Sequence, residues 1–397
     1  MFQKRGEHKQ QKGFFADNKL LVAITTLIGT IVGAGVLGIP YVVAKAGFFY
    51  GFILITVIGL AFLFLNLFCG EVVLRTKKQH QLTGYAEKYL GKWGKRAMAL
   101  SMLVAIYGAL TAYLIGEGAT IYSILKFGSP LIYTLIFFAI TFFIIYRGIK
   151  ATGKAELILI TLLILIVAII GFVSYDKISI DNYSSFNPAF FFLPYGVILF
   201  AFMASPAIPE LQEVLKKEKK KMKKAIIIGS LTPIVLYLIF VFVVGGVVGL
   251  ENFELLQPNQ RIATIALSVY SLPFLGIMAN LLAVLAMFTS FLTLGIALVE
   301  VYQYDYKFSR LNSLLLTFSV PLVISLFNLT TFLSVLGITG AVAGGLDGIL
   351  VTLMFWKAKK LGDRKPEYSL GNHKVLGIIL ILMMALGMSY QFIEHLF

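Results

Sequence analysis

Apolar runs of roughly twenty residues recur along almost the whole chain, separated by short polar connections. A run of that length crosses the hydrocarbon core of a bilayer as a helix. Eleven spans are predicted, over 19–43, 47–74, 97–125, 129–146, 155–174, 189–213, 225–250, 271–301, 311–328, 331–356 and 373–393. The pattern predicts an all-α polytopic membrane protein with a short tail over 1–18 and no soluble domain. The first span is too long for a signal peptide, and no cleavage site follows it.

Two spans carry residues that a continuous helix does not tolerate. Residues 29–40 read GTIVGAGVLGIP, and residues 202–210 read FMASPAIPE. Glycine permits backbone angles that other residues avoid, so the helix can unwind around Gly33 to Gly35. Pro206 and Pro209 each remove a backbone donor and free a carbonyl one turn earlier, near Phe202, Met203, Ala204 and Ser205. Lipid cannot satisfy the freed groups, so such breaks persist only around a cavity. The half-helix that follows the first break presents N–H groups and a dipole suited to a carboxylate. Carbonyls ending the preceding half suit a cation or an ammonium. Gly29-x-x-x-Gly33 is also the small-residue spacing that packs membrane helices, and a proline pair also makes a plain kink.

The layout repeats although the text does not. Spans one to five (19–174) and six to ten (189–356) each open with a broken helix and run in opposite senses, with 373–393 added after them. This is the arrangement of a five-plus-five inverted repeat, whose paired breaks mark the substrate site of secondary transporters.

Charge refines the picture. Only 13% of residues are charged and 59% are hydrophobic, against about 25% charged in soluble domains. The formal charge of +15 suggests nucleic acid at first sight, but 30 of the 34 Lys and Arg fall in alternate loops. Basic residues are retained on the cytoplasmic side. An inner-membrane protein follows, with its N-terminus cytoplasmic, its C-terminus extracytoplasmic and no nucleic-acid partner. The run KKEKKKMKK at 216–224 is a topogenic anchor that can touch anionic lipid. Residues 75–96 read as an amphipathic stretch on the inner surface, with Tyr85, Tyr89 and Trp93 at headgroup depth. Residues 261–270 read as a short external helix. The sole cysteine, Cys69, excludes an intrachain disulfide, and no feature specifies an oligomeric state.

Other spans add candidate groups. In span three Tyr107 and Thr111 share a helix face, where a ring can cover a substrate or simply pack, beside Gly108 and Tyr113. In span eight, Thr289 and Ser290 with the Ala286 carbonyl supply oxygens for a hard cation, or bond back to their own helix. Buried acids such as Glu117, Glu300 and Asp347 are expensive in lipid and are candidate proton carriers. Glu210 faces either headgroups or an inner gate.

GTIVGAGVLGIPY and YGALTAYLIGEGATI resemble the amino acid/auxin permease family of the amino acid–polyamine–organocation superfamily. TSFLTLGIALVEVYQYD is similar to the same helix in its bacterial aromatic and hydroxy amino acid permeases. The resemblance covers essentially the whole chain. It implies the fold of the bacterial sodium-coupled leucine transporter. It implies that the amides of Ala34 and Gly35 hold a substrate carboxylate, with the carbonyls of Ile31, Phe202 and Met203 or Ala204 on the ammonium. Where the family has a sodium site, it falls here on Gly29, Val32, Ala286, Thr289 and Ser290. Some proton-coupled relatives place a lysine inside helix five. Here 157–170 is apolar apart from Thr161, with Lys154 and Glu156 at the entry, a departure that slightly favours Na⁺; proton-coupled members of the aromatic branch look similar around helix eight, so by this resemblance Na⁺ and H⁺ both stay open.

The expected function is ion-coupled symport of a neutral L-amino acid by alternating access. Small residues at Ala204, Ser205 and Ala207 favour an apolar or aromatic side chain. A membrane amino-acid sensor with little flux is the alternative. An enzyme is not expected: His8, His80, His373 and His395 all lie at termini, loops or span ends, with no HExxH and no resident cofactor implied.

Overall fold

The computed structural model describes residues 18–148, 153–184, 186–304 and 306–396. The expected tail over 1–18 lies almost wholly outside the described residues. The side chains of Lys154 and Glu156 lie outside the description as well.

The first apolar run forms α1 (Lys19–Ile31), a 3₁₀ segment (Ala34–Gly38) and α2 (Ile39–Ala46). Asn18 caps α1 by accepting from the Leu21 amide. The two parts bend by 40° across the break. Gly47, at φ 123°, lets the chain reverse into α3 (Phe48–Leu74). Next come α4 (Leu82–Leu125), α5 (Pro130–Arg147) and α6 (Gly153–Val173). The sixth run divides into α7 (Leu193–Phe202) and α8 (Ala207–Val214). Then follow α9 (Met222–Leu255), α10 (Ala263–Tyr270), α11 (Pro273–Tyr304) and α12 (Arg310–Leu326). The tenth run is α13 (Phe332–Thr339), a π turn (Gly340–Gly344) and α14 (Gly345–Leu361), and α15 (Lys374–Leu396) closes the chain.

Every predicted span coincides with helix, including the short helix α10. Among the described residues eight helices are long and apolar enough to cross a membrane, or nine with the bent pair α1–α2. Residues 164–173 and α12 are shorter apolar helices. The protein is a multi-pass, all-helical membrane protein.

Two expectations are corrected. The stretch 75–96 is not a separate surface element: from Leu82 it runs into the third span, with only Gly91 (φ 75°) out of helical geometry. Tyr85 and Tyr89 are buried in the protein rather than held among headgroups, and Trp93 alone is exposed. Their hydroxyls explain this, since Tyr89 bonds Thr76 at 2.7 Å and Tyr85 accepts from the His80 amide. The π turn is a second difference, because four glycines between 337 and 345 give no periodicity from which to read a widened turn.

Within the bundle α3 packs along α9, and α4 runs between α5 and α11. Lipid gives helices no hydrophobic reason to associate, so close packing of small residues holds them. Gly196 of α7 and Gly337 and Gly340 of the tenth run show it most clearly. A Cβ at Gly196 would collide with the backbone at Gly337, and one at Gly340 with the backbone at Gly196. The seven lysines between Lys216 and Lys224 define a basic end of the bundle; the opposite end is called the far end.

Candidate functional site

At the first break Val32 takes ψ 81° and Gly33 is extended at φ −111°, ψ −162°. The Val32 amide still reaches Ile28 (2.7 Å), but the Gly33 amide turns to the Ile31 carbonyl (3.0 Å). No backbone amide among the described residues then reaches the carbonyls of Gly29 or Val32. The 3₁₀ ladder begins with the Val36 amide on the Gly33 carbonyl (3.3 Å). Ala34 and Gly35 are therefore first-turn residues, whose amides have no partner within their helix.

The two glycines differ. A Cβ on Gly33 would meet nothing within 4 Å, whereas one on Gly35 would stand 2.9 Å from the Phe200 ring and 3.0 Å from the Ala201 Cα. Gly33 borders open space, and Gly35 is pressed against α7.

The second break spans Met203 to Pro206. Met203 leaves helical geometry at ψ 120°. The Phe202 carbonyl would need an amide at position 206, which is proline. Shorter bonds run from Ala207 to Ala204 (2.9 Å) and from Ile208 to Ser205 (3.2 Å). Among the described residues the carbonyls of Phe202 and Met203 receive no backbone amide. The Ser205 hydroxyl donates to Asp347 Oδ2 at 2.5 Å.

One side chain joins the two breaks. Tyr237, fully buried on α9, lies with its hydroxyl 2.8 Å from the Ile31 carbonyl and 2.9 Å from the Ala201 carbonyl. Its ring lies 4.9 Å from that of Phe202. The Ile31 carbonyl, expected to take a substrate ammonium, accepts from the Gly33 amide and shares the single Tyr237 hydroxyl hydrogen with the Ala201 carbonyl. Sequence reasoning missed this residue; the signal is a hydroxyl-bearing ring in the otherwise apolar stretch 233–248.

On the basic side of the breaks both α1 and α11 carry hydroxyl-bearing residues. On α1, Ala23, Leu27 and Ile31 form the buried face, while Thr25, Thr26, Gly29 and exposed Thr30 share another. On α11, Thr289, Thr293, Ala297 and Glu300 continue the exposed stripe of Leu281 and Leu285. The hydroxyls of Thr25, Thr26, Thr30 and Thr293 bond back to carbonyls of their own helices. Pro206 and Glu210 are exposed and Met203 half-buried.

The far end is closed. Residues 34–44 are buried, as are 263–267 of α10. Glu254, at the end of α9, pairs with Lys45 of α2 (2.6 Å) and with Arg261 (3.0 Å). Arg261 also donates to the Tyr41 hydroxyl (2.8 Å) and stacks its guanidinium over that ring.

The expected side chains sort clearly. Tyr107 is not brought to the breaks: its hydroxyl bonds Tyr302 of α11 (2.7 Å) and the Leu316 carbonyl of α12 (2.9 Å). Thr111 is buried and donates to the Tyr107 carbonyl at 2.8 Å. A shared helix face was the right inference for this pair, but the face packs against α11 and α12. Ser290 is buried beside Ala286 on α11, and the Thr289 hydroxyl donates to the Ala286 carbonyl (3.0 Å). Glu117 is fully buried, and neither of its carboxyl oxygens has a partner among the described residues.

These features match known proteins over nearly the full chain. The model of the tryptophan/tyrosine permease family matches residues 16–390. The tyrosine-specific transport system 1 of Haemophilus influenzae is 26% identical, over 92% of this chain and 94% of that one. Glutamine transporter 2 of Aliivibrio fischeri is 24% identical, over 94% and 99%. Among solved structures, MhsT in complex with L-phenylalanine superposes with a TM-score of 0.64 at 16% identity, covering 98% of this chain and 99% of that one. That likeness concerns the fold alone. Sequence and fold agree across the membrane region, and the chain belongs to the tryptophan/tyrosine permease family, whose members are permeases rather than enzymes.

Proposed function

We propose that the protein is an ion-coupled symporter of a neutral, aromatic L-amino acid, working by alternating access across the plasma membrane. Eleven spans arranged as two inverted repeats, 19–174 and 189–356, with 373–393 appended, form the carrier. The N-terminus and the basic end face the cytoplasm, so the conformation described is inward-facing.

One observation carries the reading. Both breaks, joined by Tyr237, leave main-chain groups without a backbone partner, donors at Ala34 and Gly35 and acceptors at Phe202 and Met203. A zwitterion supplies the complements: its carboxylate accepts at the 3₁₀ N-terminus, and its ammonium donates to the carbonyls. Gly33 leaves room for its Cα. Ala204, Ser205 and Ala207 leave room for a large side chain. The coupling ion has a candidate place at the unclaimed carbonyls of Gly29 and Val32 with Ala286, Thr289 and Ser290. Relatives named for tyrosine and tryptophan transport support an aromatic substrate.

The test is uptake into proteoliposomes of labelled aromatic, aliphatic and charged amino acids under imposed Na⁺ or H⁺ gradients. Concentrative uptake of an aromatic amino acid, driven by one of the gradients, is expected. Uptake indifferent to both gradients would overturn symport, and binding without flux would leave a sensor.

A further inference from the structure

We infer that Asp347 carries a coupling proton, and that its charge state decides whether the Ser205 hydroxyl is held against α14 or turned into the second break. The inference rests on the carrier reading above.

The carboxylate has too little around it for a permanent charge. Asp347 is 5% exposed and stands in the first turn of α14, directly after the π turn. A carboxylate at membrane depth is costly and is normally paired. Glu71, also buried, shows what pairing looks like: it takes Arg75 and Lys359, the Ser369 hydroxyl and the Leu370 amide. Asp347 has the Ser205 hydroxyl and no ion pair among the described residues.

The groups around it decide which cation fits. Against the start of α14 lie the Met203 thioether of the break, Leu65 of α3, and Met384 and Met388 of α15. From α4, Ser101 approaches but donates to the Ala343 carbonyl at 2.8 Å. Cys69 of α3 is the titratable neighbour close enough to feel the charge. Among the described residues no lysine, arginine or histidine pairs with the carboxylate, and its hydrogen-bond partner is the Ser205 hydroxyl. A hard metal cation needs several oxygens. A proton needs one.

The exchange is balanced by a change of hydrogen-bond direction. Ionised Asp347 accepts from Ser205. A proton arriving from one side of the membrane converts the carboxylate to a carboxylic acid, which then donates to Ser205 Oγ. The serine hydrogen then turns away from Asp347 into the second break. Proton release on the other side restores the first arrangement. Glu117 is more deeply buried but has no contact linking it to either break.

The test uses the full-length protein in proteoliposomes. Exchange of a labelled aromatic amino acid is measured without a gradient, and accumulation with an inward-acid gradient. Wild type should show both; if it shows no exchange, the carrier reading itself fails. Asp347→Asn should retain exchange and lose pH-driven accumulation. Retained accumulation would overturn the assignment, and so would loss of exchange by protein that is monodisperse. Ser205→Ala keeps the carboxylate but removes the hydroxyl that favours its charged form. Its pH profile of accumulation should move by about one unit to higher pH, and an unmoved profile would contradict the inference.

Discussion

Gly33 and Gly35 lie two residues apart and serve different ends. Gly33 borders the space assigned to the substrate, and its backbone angles are open to alanine. Gly35 sets the approach of the first break to α7. Gly35→Leu should insert normally into the membrane yet lose transport, because overpacking of this kind costs about 1–3 kcal/mol and separates the breaks. Gly33→Ala should keep wild-type thermal stability while weakening apparent substrate affinity. Uptake kinetics alongside melting of the purified variants check both. Equal loss of stability in the two variants would show that Gly33 borders no free space. The motif GTIVGAG reveals the break but not this division of labour, which depends on the partner helix. Tyr237 illustrates the same limit, since its bond to Ile31 joins residues 206 positions apart.

At the scale of elements, the second break is held open by prolines. Pro206→Ala restores an amide that can reach the Phe202 carbonyl. Initial uptake should fall by at least about tenfold if the open carbonyl is required. Undiminished uptake would remove Phe202 from the site. The far-end network ties α2 to the end of α9 and to Arg261, so Glu254→Gln should loosen that end. Single-cysteine probes near Arg261 would then become more reactive, against the quiet background that fully buried Cys69 provides. At the basic end, Lys88 bonds Asp363 in the loop before α15, and the Lys77 amide also donates to it. These partners hold the Asp363 carboxyl below its ordinary 3.8. Its contribution is present above that value and is lost as pH falls through the lowered one. Asp363→Asn should therefore flatten the acid limb of the melting-temperature profile. Spans and both breaks were legible because long apolar runs and Gly/Pro punctuation are local signals. The π turn and the Tyr107 partners were not, because each is decided by packing against a helix far away in sequence.

For the whole molecule, the architecture separates support from recognition. Tight glycine contacts bring α7 against the tenth run. Hydroxyl-bearing stripes on α1 and α11 lie at the basic end, and ion pairs close the far end. In the proposed topology the basic end faces the cytoplasm. The central claim is that main-chain groups at two broken helices grip both charges of an amino acid. Competition against exchange of labelled L-tyrosine, or of whichever aromatic amino acid exchanges fastest, tests it directly. Tyramine lacks the carboxylate, and N-acetyltyrosine lacks the ammonium. Each should compete at least about a hundredfold more weakly than the amino acid, because polar groups of the site would be left unpaired. Competition by either analogue on a par with the amino acid would contradict the account.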